Sequence, residues 1–298
     1  MRTFSLALVA AFFTATTFLA CKDTYVDPTV DQFGRDTTAI RQFVRTQSGV
    51  TYQPAAIGVQ YAITKANPAG RLPAAGDEIE LNYLLSSLDG RFRADSALKD
   101  SVAYWRFNAG TLPSGFDVGL SRTREGESAT YLIPSYAGFQ DRSFVNIPAN
   151  TPLRLNVTVR KLRTEEEQIT DYIARQKLTV TTTTPEGVRI SKTQSVSAGA
   201  ELTNGQTVSL RYTGRFLRYN RVFDSNVNQT PARPLFDVTL GSNVVVRGFE
   251  AGVRALKVGE KAVVVLPSSQ GYGTRGTSDG TIPPNTPLAF EIEVVSVR

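Results

Sequence analysis

Hydrophobic residues recur along this chain with two periods. At Ile40, Phe43 and Val44, and again at Ile169, Tyr172 and Ile173, they fall at i, i+3, i+4, which places them on one face of a helix. Thr164 precedes the second set with Glu167 three residues on, the spacing of a capping box that closes an amino-terminal helical turn. Elsewhere the period is two. Val208, Leu210 and Tyr212 alternate with Ser209 and Arg211, and Phe290, Ile292 and Val294 alternate with Glu291 and Glu293, so strands with one buried face are predicted. Between them Phe249, Val253 and Leu256 fall at i, i+4, i+7, predicting a short helix packed on the sheet. An antiparallel sheet wrapped around one short helix, with a further helix leading into it, is an α+β domain.

The pattern occurs twice. NIPANTPLRLNVTV and TIPPNTPLAFEIEV lie 135 residues apart, measured from Ile147 to Ile282. Gly115-Phe116 matches Gly248-Phe249 at an offset of 133, and Tyr83, Asp95-Ser96, Gly58 and Ile40 match Tyr212, Asp224-Ser225, Gly187 and Ile169 at 129. Self-similarity over this distance makes the chain a tandem of two domains, over 36–163 and 164–298.

Composition then narrows the chemistry. With 298 residues, 41% hydrophobic and 20% charged, two ordinary cores can be buried. There is no histidine, which excludes Ser-His-Asp triads and most zinc hydrolases. A single cysteine excludes an internal disulfide, a zinc ribbon and dithiol redox chemistry, and no cofactor or metal is expected. The net charge of +6 is scattered among acidic residues, so nucleic acid is not an expected partner.

The amino terminus reads as a targeting segment. Arg2 is followed by a largely apolar run from Phe4 to Ala20, short of the roughly 20 residues of a comfortable membrane span. Phe18-Leu19-Ala20-Cys21 resembles a bacterial lipobox, which implies cleavage after residue 20 and acylation of Cys21. An unmodified cysteine beside an ordinary cleavage site is the alternative. Residues 1–20 are thus expected as a signal peptide and 21–35, polar with Pro28 and Gly34, as a tether to the membrane.

The second copy carries, in order, RYTG (211–214), VFDS (222–225), VVRGFEAGV (245–253), VGEKAVVVLP (258–267), GYG (271–273) and IPPNTPLAFEIEV (282–294). In this it resembles the FKBP-type peptidyl-prolyl cis-trans isomerases, and the first copy resembles the same fold in degraded form. With the lipobox, the whole is similar to FKBP-type lipoproteins of Gram-negative bacteria, such as those of Bacteroidota. The resemblance implies a rotamase that binds proline-containing polypeptides, and possible macrolide inhibitors, in the cell envelope. A non-catalytic proline-binding module and an envelope scaffold reusing the fold are the alternatives.

By the same resemblance Tyr212, Phe223, Phe236, Val245, Val246, Phe249, Tyr272, Ile282 and Phe290 line a proline pocket. Phe249 is its floor, the Val246 N–H and Tyr272 hydroxyl donate to peptide carbonyls, and Asp224 is a buried polar residue partnered by Tyr212, with Arg233 a second candidate. The loop 274–280 is expected over the pocket mouth. In the first copy Pro113, Phe139, Ala94 and Leu155 stand where the second has Val246, Tyr272, Phe223 and Phe290, so the first domain is expected to keep the fold and little activity.

Overall fold

A computed structural model describes residues 28–98, 101–227 and 233–298. The first repeat runs α1 (Pro28–Thr46), β1 (Gln53–Pro54), β2 (Gln60–Lys65), β3 (Glu78–Ser87), β4 (Arg93–Ala97), β5 (Ala103–Arg106), α2 (Ser114–Leu120), β6 (Ser128–Ile133) and β7 (Leu153–Arg163). The second runs α3 (Glu165–Arg175), β8 (Thr182–Thr183), β9 (Arg189–Gln194), β10 (Thr207–Phe216), β11 (Val222–Ser225), β12 (Phe236–Thr239), α4 (Arg247–Arg254), β13 (Lys261–Leu266) and β14 (Leu288–Val297). Cys21 and the expected signal peptide lie outside the described residues. The expected tether extends less far than residue 35, because α1 is already helical from Pro28.

The two sheets are wholly antiparallel and share one strand order. It is β1-β2-β6-β7-β3-β4 in the first and β8-β9-β13-β14-β10-β11 in the second, with β5 added to β3 and β12 to β10. The registers coincide as well. Leu85 pairs with Leu155 and Asp95, and Gly214 pairs with Phe290 and Asp224. Repeats matched by sequence offset are therefore matched strand for strand.

Each sheet packs its inner face on a short helix. Phe249 and Val253 of α4 are buried with Val208, Leu210, Val264, Ile292 and Val294 in one apolar cluster. The helix comes close because glycines face the sheet: a Cβ at Gly252 would lie 2.5 Å from Val264, and one at Gly248 would lie 2.8 Å from Leu266. Leu256 lies just past the end of α4 and is buried nonetheless.

The single buried face expected of the sheet is only part of the picture. Outer-face residues Val265, Ala289 and Leu217 are also buried, because Ile169 and Tyr172 of α3 pack over them. The capping box at Thr164 is formed in both directions, with Glu167 N–H donating to Thr164 Oγ1 (3.2 Å) and Thr164 N–H to Glu167 Oε2 (2.7 Å). Helix α1 covers the first sheet in the same manner through Ile40, against Leu88 and Leu132.

Both leading helices are also pinned by one acidic side chain. Asp36, fully buried, accepts from Ser135 N–H and Ser135 Oγ, both at 2.7 Å. Glu165, at the equivalent position, accepts from the backbone N–H and the hydroxyl of Ser268. Each serine opens the 3-10 turn after a central strand, Ser135–Ala137 or Ser268–Gln270.

The repeats meet along the start of β3. Glu78, 4% exposed, receives the Arg218 guanidinium, Nε at 2.8 Å from Oε2, and Arg163 stands 3.8 Å from it. The same guanidinium lies 4.2 Å over the Tyr104 ring, and Arg106 Nη1 donates to the carbonyl of Asn285 at 3.1 Å.

Candidate functional site

The site is built on the inner face of the second sheet at the amino-terminal end of α4. Alternation along β10 places Tyr212, Gly214 and Phe216 on that face, β11 adds Phe223 and Asp224, and β12 adds Phe236. Helix α4 supplies Phe249 and its N-cap Val246, and the segments after β13 supply Tyr272 and Ile282. The structure brings all the apolar residues expected from the sequence into one cluster, with Phe216 as an addition.

Their burial is graded from floor to rim. Phe249 (3% exposed), Ile282 (3%) and Phe290 (4%) form the floor, while Tyr212, Phe223, Phe236, Val245, Val246 and Tyr272 are half-buried around it. The rings meet edge to face. Phe249 lies 5.1 Å from Phe290 at 84° and 5.9 Å from Tyr212 at 88°, and Phe223 lies 5.6 Å from Phe290 at 90°. Such T-shaped contacts set each ring against its neighbour's face and fix the walls relative to the floor.

Polar groups sit only at the edge. Tyr212 donates its hydroxyl to Asp224 Oδ2 at 2.5 Å, and Arg233 Nη1 lies 3.1 Å from Asp224 Oδ1. Burial, then the Asp224 hydrogen bond and charge, push the Tyr212 hydroxyl well above its usual pKa, so it stays a donor. The expectation of a buried aspartate is corrected: the Asp224 side chain is 46% exposed. Its charge needs no burial because it faces solvent and Arg233 on one side and holds the tyrosine on the other. Among the described residues, neither the Val246 N–H nor the Tyr272 hydroxyl has a hydrogen-bond partner. Two donors are therefore free beside an apolar floor.

The loop 274–280 is folded back on the chain. Thr277 N–H donates to Ile282 C=O and Ile282 N–H to Thr277 Oγ1, both at 2.9 Å. Gly276 (φ +67°) permits this, since a Cβ there would lie 2.2 Å from the Ile282 carbonyl oxygen. The loop thus steadies Ile282 in the floor.

In the first repeat two further rings pack against the same walls. Tyr83 donates to Asp95 and Phe116 is the buried floor, as in the second repeat. Trp105, however, stands at the register where the second repeat has Val238, and its ring lies 4.7 Å from Tyr83 and 5.8 Å from Phe116. On the other side Phe144, at the place of Thr277, stacks on Phe139 at 4.2 Å and 14°. Tyr83 is consequently 8% exposed where Tyr212 is half-buried. Trp105 thus occupies the space that the loss of Phe223, Phe236 and Phe290 would have emptied, and the partly exposed Phe144 covers Phe139 at its edge.

A model of the family FKBP-type peptidyl-prolyl cis-trans isomerase matches residues 70–160 and 199–295, more than half of the chain and one match per repeat. The chain belongs to that family. An FK506-binding protein of Neisseria meningitidis is 36% identical over 99 residues, which are 33% of this chain and 86% of that relative. Peptidyl-prolyl cis-trans isomerase FKBP53 of Arabidopsis thaliana is 39% identical over 94 residues, 32% of this chain and 19% of the relative. A solved peptidyl-prolyl cis-trans isomerase of Pseudomonas syringae pv. tomato is 26% identical, with a TM-score of 0.37, over 45% of this chain and 90% of that one. The chain spans less than a third of the length of several of the curated relatives it matches, the Arabidopsis FKBP among them.

Proposed function

We propose that the second FKBP domain is a peptidyl-prolyl cis-trans isomerase acting on proline-containing segments of exported proteins. The observation that carries this reading is the apolar floor of Phe249, Ile282 and Phe290 with two donors at its edge, the Val246 N–H and the Tyr272 hydroxyl, that have no partner among the described residues. An X-Pro bond rotates over a barrier of about 18–20 kcal/mol because twisting breaks amide resonance. The twisted amide is less polar than the planar one. A hollow that grips the pyrrolidine ring on Phe249 and removes water from the amide binds the twisted form better than the planar form, and this lowers the barrier. The two donors fix the flanking carbonyls while the bond turns. No proton is transferred, so the absence of histidine is no obstacle.

Exchange spectroscopy on an X-Pro peptide tests the reading. Tyr272→Phe removes one donor and is expected to lower kcat/KM roughly 3- to 10-fold, the worth of a net hydrogen bond. Asp224→Ala releases the Tyr212 hydroxyl and is expected to lower turnover with the fold retained. Unchanged turnover in both variants would remove these residues from the mechanism, and binding without turnover in the parent chain would favour a module that only binds proline segments.

We also propose that Cys21 carries a lipid that holds both domains at a membrane of a bacterial cell envelope. The sequence around Cys21 supports this. Cys21→Ser is expected to move the protein from the membrane to the soluble fraction and to abolish labelling by a fatty-acid analogue.

A further inference from the structure

A more polar space lies beside the aromatic cluster. A groove of about 600 Å³ lies along Asn243, Val245, Val246, Arg247, Tyr272 and Arg275. Val245, Val246 and Tyr272 belong both to the aromatic cluster and to the groove, so the groove adjoins the proposed seat of the proline ring and offers the bound polypeptide a way out. Two guanidinium groups flank that exit, both exposed, and among the described residues neither has an ion-pair or hydrogen-bond partner. Of the other arginines of the second repeat, Arg189, Arg215, Arg218, Arg233, Arg254 and Arg298 each meet a carboxylate, while Arg175 is held by carbonyl oxygens and Arg221 lies over the Phe216 ring; Arg211, which lies away from the groove, is also without a carboxylate partner among the described residues. Asp279, the acid nearest in sequence to Arg275, directs its oxygens to Thr281 N–H (3.0 Å) and Thr281 Oγ1 (2.8 Å).

Both arginines are carried on fixed backbone. Arg247 is the first residue of α4, and Arg275 precedes Gly276 in the loop that Thr277 ties to Ile282. The first repeat, whose hollow is filled, has Ser114 at the place of Arg247 and keeps Arg142 at that of Arg275.

We infer that Arg247 and Arg275 select proline segments with an acidic residue close to the X-Pro bond. This deepens the isomerase reading and rests on it for the seat of the proline. A guanidinium carried beside the exit attracts a carboxylate on the emerging chain, and it repels lysine there.

The test uses the full chain and peptides carrying Glu, Gln or Lys two residues before, or two residues after, the X-Pro pair. Dissociation constants come from titration and turnover from exchange spectroscopy. Two exposed charge contacts predict a roughly 3- to 20-fold preference for Glu over Gln on at least one flank, with Lys weakest. The preference is expected to shrink toward one at about 1 M salt and in R247Q/R275Q. Equal affinity of the three peptides on both flanks, or a Glu preference that survives the double substitution, overturns the inference. Glu-favoured binding without turnover would leave it standing and sink the isomerase reading. Turnover without charge preference would do the reverse.

Discussion

The exchange of Val246 for Pro113 between the repeats is the sharpest difference at the scale of single residues. Both cap a helix, and their backbones agree: φ −63° and ψ 146° at Val246, φ −55° and ψ 141° at Pro113. Proline fits either place, because its ring holds φ near about −65°. Val246→Pro therefore removes the free N–H without forcing the backbone, and kcat/KM is expected to fall about tenfold while the melting temperature holds; a substitution that leaves turnover intact would show that this N–H does not hold the substrate. The pH profile belongs to the same scale. Burial, then the charges of Asp224 and Asp279, raise the Tyr272 hydroxyl above its ordinary 10.0, so its neutral, donating form persists through mildly alkaline solution. Turnover is expected to stay flat from neutrality to about pH 9, and a loss with a midpoint well below 10 would contradict the role given to that hydroxyl. These residues were legible in the sequence because family motifs fix their spacing. Phe216 and Trp105 were not. Phe216 could have been found from its place two residues past Gly214 on a strand of period two, whereas Trp105 fills the first hollow from a register that no repeat offset revealed.

Among the elements, the leading helices reach furthest. Helix α3 buries Ile169 and Tyr172 on the outer sheet face, and through Glu165 it also grips Ser268, the first residue of the turn that runs into Tyr272. Gly273 N–H bonds back to Ser268 C=O at 2.8 Å, so the helix holds the loop that carries the tyrosine. Glu165→Gln keeps the shape but leaves one acceptor oxygen for two donors. It is expected to cost about 1–3 kcal/mol of stability and to raise KM more than it lowers kcat, as steady-state kinetics and thermal unfolding would show. The periodicities of 3.6 and 2 announced the helices and strands of the core. They did not announce this link, because an acid near a helix start reads equally well as a favourable dipole partner. Only the shared offset of Asp36 and Glu165 could have pointed to it, and that offset needs Ser135 and Ser268 beside it to mean anything.

At the level of the whole molecule, sequence offset was enough to reveal two domains, but not how they meet, since Glu78, Tyr104 and Arg218 lie far apart in the chain and carry no motif. Glu78 is closed off from water and meets the guanidinium groups of Arg163 and Arg218. Arg218→Met leaves that carboxylate with one distant partner, a loss on the order of 3–5 kcal/mol at the junction. Calorimetry is expected to resolve two unfolding transitions in the variant where the parent shows one. The wedge in the first repeat makes the assignment of those transitions direct. Trp105 is the sole tryptophan of the chain, so indole emission excited at its red edge belongs to one domain alone. The molecule thus carries its own optical label: the transition that shifts this emission is the melting of the filled domain, and a peptide seated in the open one should leave the colour of that light unaltered.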